Sequence, residues 1–127
     1  MKIHHVALYV RDLIAARDFF VTYFGGISNE EYHNPTTGFR SFFLRFQDGS
    51  QLEIMTRPNL TAGENSDFCC GYAHLAFSVG SREAVDRLTR RLQEDGYALL
   101  SGPRVTGDGC YESCVAGIEG NRIEITI

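Results

Sequence analysis

An α+β fold made of two repeated modules, each reading strand, helix, strand, strand, strand, is what the sequence predicts, on three observations. The segment His5-Val6-Ala7-Leu8-Tyr9-Val10 aligns with His74-Leu75-Ala76-Phe77-Ser78-Val79 at an offset of 69 residues. Gln51-Leu52-Glu53-Ile54 aligns with Arg122-Ile123-Glu124-Ile125 at an offset of 71. Between these matched ends the order of elements also repeats, which is the signature of a duplicated supersecondary unit. The expected division is a single domain over residues 1–127, with modules at about 1–56 and 71–127 and a polar linker at 57–70.

Each module opens on an apolar strand ending at Val10 or Val79. Asp12 and Ser81 then stand where a helix N-cap belongs, because their side-chain oxygens accept from the unpaired amides of a first helical turn. Leu13, Ala16, Phe19, Phe20 and Phe24 in one half, and Ala84, Val85, Leu88 and Leu92 in the other, recur at three- and four-residue steps and predict one apolar stripe per helix. Gly25-Gly26 and Gly96 close the helices, since a left-handed terminal residue is cheapest as glycine. Strand-like runs follow at 27–33, 39–47 and 50–56, and again at 97–101, 110–116 and 121–127. Asp48-Gly49 and Gly120-Asn121 supply turn chemistry between the last two runs of each half.

Composition narrows the function. With 43% hydrophobic and 22% charged residues and 3 Pro against 13 Gly, the 127 residues describe a globular chain long enough to bury its own core. A net charge of −4 and the lack of any Lys/Arg run argue against a nucleic-acid or membrane-surface partner and leave a small-molecule substrate. No apolar stretch approaches the roughly 18 residues that span a bilayer, and a cytoplasmic location is expected. Cys69, Cys70, Cys110 and Cys114 fit neither a disulfide framework nor a zinc knuckle, and are expected to be reduced structural thiols.

The period of two along a strand decides which side chains share a face. Ile3, His5, Ala7 and Tyr9 fall on one face of the first strand, while His4, Val6, Leu8 and Val10 form the apolar face toward the helix. In the equivalent strand His74 shares its face with the small residues Ala76 and Ser78. Glu53 and Glu124 are each flanked by apolar residues that point to the other side. Each half therefore presents one imidazole and one carboxylate away from its helix. Together they make a His2Glu2 set, suited to zinc, nickel, cobalt, manganese or ferrous ion and leaving two positions of an octahedral ion open. His4, on the helix-facing side, and His33, in the loop-like Tyr32-His33-Asn34-Pro35, are expected to play no part.

At these residues the sequence resembles glyoxalase I and the wider vicinal oxygen chelate superfamily, which also holds bleomycin-binding proteins and ring-cleaving dioxygenases. The resemblance rests on His5-Val6-Ala7 with Asp12-Leu13, on Tyr72 to Val79, on Gly102-Pro103, and on Gly120-Asn121-Arg122-Ile123-Glu124-Ile125. It implies cupped mixed sheets with the helices on the outer face, a homodimer, and a divalent metal, zinc or nickel foremost, held by His5, Glu53, His74 and Glu124. It also implies a lyase or isomerase of lactoylglutathione lyase type, acting on the thiol hemithioacetal of a 2-oxoaldehyde through an enediolate. Glu124 would be the base and Glu53 a ligand or second catalytic carboxylate. A ligand-sequestering resistance protein, an epimerase and a dioxygenase are the alternatives in the same superfamily. Where glutathione-dependent members place an Arg four residues after the first His, this chain has Tyr9, and where they place an Asn four residues after the second ligand it has Arg57. The thiol is therefore left open, with Tyr9 expected to line the pocket and Arg57 and Arg104 as candidate clamps for an acidic group.

Overall fold

The computed structural model describes residues 1–61 and 70–127, so most of the expected linker, with Cys69, lies outside the described residues. The chain divides into two compact units, Met1–Ala62 and Gly63–Ile127.

The first unit runs β1 (Val6–Tyr9), α1 (Leu13–Phe24), β2 (Ile27–Ser28), β3 (Tyr32–Asn34), β4 (Phe39–Arg45) and β5 (Gln51–Thr56). Its mixed sheet has the order β1-β5-β4-β2, with β3 also on β4, and β1 runs parallel to β5 while the other pairs are antiparallel. Asp12 caps α1 by accepting from the Ala15 amide at 2.9 Å, and Gly25 ends it in the left-handed region at φ 66°. Leu13, Ala16, Phe19 and Phe20 on α1 pack with Val10, Phe42, Leu44, Leu52 and Ile54 to form the core, so the helix covers the even-numbered face of β4 and β5. Phe20 is fully buried. Phe20→Ala is expected to destabilise the protein by about 3–5 kcal/mol through lost burial and a residual cavity, measured as the shift in urea midpoint.

The run expected at 27–33 is two short strands, because Asn29 intervenes. Its amide nitrogen donates to the Phe43 carbonyl at 3.0 Å while its side-chain Oδ1 accepts from the Phe43 amide at 2.8 Å. A side chain thus takes the place of a main-chain acceptor and interrupts the ladder. His33, expected in a loop, is in β3 opposite Arg40.

The second unit runs β6 (Leu75–Ser78), α2 (Arg82–Glu94), β7 (Ala98–Val105), β8 (Tyr111–Ala116), a short 3₁₀ turn (Ile118–Gly120) and β9 (Arg122–Thr126), with sheet order β6-β9-β8-β7. β6 is parallel to β9 and the rest is antiparallel. Ser81 caps α2 by accepting from Ala84 at 3.2 Å. Val85 and Leu92 pack with Val115, Ile123 and Ile125. Thr89, absent from the predicted stripe, is buried with them and is satisfied by the Val85 carbonyl at 2.7 Å and the Ser113 hydroxyl at 2.6 Å, which ties α2 to β8. β7 extends four residues past its expected end, with register shifts between Leu99 and Arg104. Gly102 lies so close to β8 there that a Cβ would run into the Glu112 carbonyl. Both units are therefore α+β modules of βαβββ type, the second strand of the first being split. No helix among the described residues is long and apolar enough to cross a membrane.

Candidate metal and catalytic site

In each unit the open face of the sheet, away from the helix, carries one His–Glu pair at the same place. His5 immediately precedes β1, and Glu53 on β5 registers opposite Ala7. His74 precedes β6, and Glu124 on β9 registers opposite Ala76. In both cases the histidine is two residues ahead of an alanine, and the missing bulk leaves the imidazole able to lean over the neighbouring strand. The His5 Nε2 to Glu53 Oε2 distance is 3.6 Å, and His74 Nε2 to Glu124 Oε2 is 3.5 Å. Exposure also repeats, with side chains at 35% and 16% in the first pair and 42% and 18% in the second. Parallel pairing of first and last strands reproduces a constellation that the offsets of 69 and 71 residues placed in equivalent registers.

Two donors about 2.1 Å from one ion stand roughly 3.0–3.4 Å apart, for angles between right and tetrahedral. At 3.6 Å and 3.5 Å the pairs are about 0.1–0.2 Å wider than the upper end of that range, and their imidazole and carboxylate are the donor types of a borderline divalent ion. Among the described residues no set of three or more His, Cys, Asp or Glu groups comes together to hold an ion. Each unit thus brings together two of the four residues expected as ligands.

The surroundings of the two pairs differ. Phe43 registers opposite Glu53, and its ring meets His5 edge-on at 5.2 Å. Cys114 registers opposite Glu124. Met55 and Tyr9 lie farther along the first unit's open face where Thr126 and Ser78 lie in the second. The first pair is walled by aromatic and apolar groups and the second by small polar ones. Cys70, Cys110 and Cys114 form no disulfide.

Tyr9 is on the open face, opposite Met55 and 45% exposed. Arg57 follows β5 on the surface with no ion pair among the described residues. Arg104 registers opposite Glu112, and its Nη1 is 3.6 Å from Glu112 Oε1, so a carboxylate of the same unit already faces its charge.

His4 is placed otherwise than the alternation predicts. The strand begins only at Val6, so the period of two does not extend back to residue 4. His4 Nδ1 stands 2.9 Å from His5 Nδ1, and His4 lines a recess on the open face with Phe43, Arg45 and Gln51. The hydrogen bond needs one proton between the two Nδ1 atoms. If His5 donates it, the lone pair of His5 is left on Nε2, the nitrogen turned toward Glu53. Ala73 stands at the equivalent place beside His74. No spacing rule could have found this role, because it depends on the chain leaving the strand.

The chain is thus a duplicated βαβββ scaffold with a His–Glu pair on the open face of each copy. The model of the Glyoxalase/Bleomycin resistance protein/Dioxygenase superfamily matches residues 2–125, and the chain belongs to that superfamily. It is 31% identical over 111 residues to the uncharacterized protein YqjT of Bacillus subtilis, covering 85% of this chain and 84% of that one. A solved structure described as a possible glyoxalase from Bacillus cereus is 28% identical, with a TM-score of 0.71 over 100% of this chain and 99% of the other. The same fold is found in a variant of the fosfomycin resistance protein FosX of Listeria monocytogenes, complexed with Mn(II) and 1S,2S-dihydroxypropylphosphonic acid. That protein is 22% identical, with a TM-score of 0.77 over 98% of this chain and 90% of its own.

Proposed function

We propose that the protein is a metal-dependent lyase or isomerase of glyoxalase I type, converting the thiol hemithioacetal of a 2-oxoaldehyde to a 2-hydroxy thioester. The observation that carries this is the repeated His–Glu pair, 3.6 Å and 3.5 Å, at the same register position of both units. His5, Glu53, His74 and Glu124 would hold one divalent ion, zinc or nickel foremost, and a homodimer is the expected assembly. Two carboxylates among the four donors also favour this reaction over ring cleavage, since proton transfer between adjacent carbons needs a carboxylate at hand.

A bound divalent ion would draw charge from two vicinal oxygens of the substrate and so acidify the adjacent C–H. The chain's own residues do the rest. Glu124 takes the proton from the carbon that bears sulfur and returns it to the neighbouring carbonyl carbon, while the hydroxyl proton passes from the first oxygen to the second, so that hydroxyl and carbonyl change places and no atom is gained or lost. Glu53 remains a donor to the site and keeps the first half of the set in place. Tyr9 and Phe43 exclude water from one side of the reacting carbons. In this reading Arg57 and Arg104 would meet charged parts of a larger substrate, Arg104 only by leaving Glu112.

The test is direct. Protein loaded in turn with zinc, nickel, cobalt and manganese is given methylglyoxal with a panel of thiols, and thioester formation is followed by ultraviolet absorbance. Turnover with one thiol is expected; none with any metal and any thiol refutes the assignment. His4 holds the His5 ring through its Nδ1 at 2.9 Å, and His4→Ala is expected to weaken metal binding about 10–100-fold while leaving the thermal midpoint unchanged. Competition with a fluorescent chelator measures it.

A further inference from the structure

The first unit carries an open recess of about 540 Å³ beside the His5–Glu53 pair, lined among others by His4, Ile27, Asn29, Phe43, Arg45 and Gln51. No acidic side chain is in its lining. Arg45 and Gln51 register opposite each other on β4 and β5, each two residues from the positions of Phe43 and Glu53, and so share their face. Arg57 follows the far end of β5, and Arg17 and Arg40 are committed to carboxylates. Arg17 is 2.7 Å from Asp18, and Arg40 grips Glu31 with two bonds of 2.8 Å and 2.6 Å, which hold the Glu31 carboxyl below its ordinary pKa. Arg45 has no ion pair and Gln51 no side-chain hydrogen bond among the described residues. Asn29 spends its Oδ1 on the Phe43 amide, which leaves its Nδ2 as a donor. One permanent cation and two neutral amide donors, Gln51 and Asn29, thus line the recess with the apolar groups of Phe43 and Ile27.

We propose that this recess is an anion subsite, and that it receives the carboxylate or phosphonate end of a compact substrate whose other end lies at the His5–Glu53 pair. This rests on the glyoxalase I-like assignment for the reaction, but the binding of the anion does not depend on turnover. Two residues along a strand span about 7 Å, which sets the distance between the reacting end and the charge. A tail of a few bonds, such as that of a short mercaptocarboxylic acid, meets that length. Arg45 supplies the charge and a two-pronged donor for the oxyanion, and Gln51 and Asn29 complete its hydrogen bonds.

The full-length metal-free protein, labelled with nitrogen-15, is titrated with propionate and with methylphosphonate at fixed ionic strength, with propionamide as the uncharged control. Saturable shifts of the Asn29, Phe43 and Gln51 amides are expected with at least one anion and none with propionamide, and the anion that saturates names the oxyacid. Arg45→Gln is expected to weaken that binding about tenfold and Arg45→Lys less, with the dispersion of the spectrum unchanged because Arg45 is exposed. Equal affinity in Arg45→Gln, shifts that map elsewhere, or no saturation with either anion would overturn the proposal. With metal-loaded protein, Arg45→Gln should raise KM for the 3-mercaptopropionate adduct of methylglyoxal and leave the 2-mercaptoethanol adduct unchanged. If neither adduct turns over while the anion still binds through Arg45, the reaction assignment fails and the subsite stands.

Discussion

Glu124→Gln is expected to lower kcat/KM for thioester formation by about 10²–10⁴-fold, the range that a positioned general base contributes, while most of the metal stays bound. The amide keeps an oxygen that can still face a cation, and it removes only the capacity to take a proton. Glu124 is 18% exposed and 3.5 Å from His74, so the neutral side chain fits the same space and folding is not at issue. Ultraviolet assay and elemental analysis of the same preparation separate the two properties. Full activity in Glu124→Gln would assign the proton transfer to another group, with Glu53 the next to be replaced.

His5→Ala and His74→Ala are expected to empty the site, each lowering bound metal from about one equivalent per site to below about a tenth after dialysis. Each histidine stands outside its strand and is partly exposed, so neither contributes to the core and both variants should keep the wild-type unfolding midpoint. Matched losses from the two variants would tie both pairs to one ion. Loss from one alone would mean that a single unit holds the metal without the other.

Much of the architecture was legible because local chemistry and global fold agree. Asp12 and Ser81 cap the helices they were expected to cap, and the apolar stripe of α1 is the one that is buried. The internal repeat carried the rest, since a His and a Glu that recur at matched offsets must occupy matched registers if the strands pair alike. What escaped depends on contacts between distant residues. Asn29 splits a strand by bonding across to Phe43, Thr89 is buried only because Ser113 answers its hydroxyl, and His4 turns to His5 because the ladder starts two residues later. Arg45 carries no spacing signal at all, and its interest comes from which neighbours lack a negative charge.

The residues opposite the two glutamates, Phe43 and Cys114, show what a duplicated scaffold makes easy. Register is fixed by main-chain hydrogen bonds, and each glutamate is backed by a separate apolar core, so the side chain across the ladder is free to drift in one copy without disturbing the other. A chain of this kind evolves like two half-moulds cast from one pattern. The His–Glu pair recurs with the pattern, while the residue across the ladder from each glutamate is particular to its half.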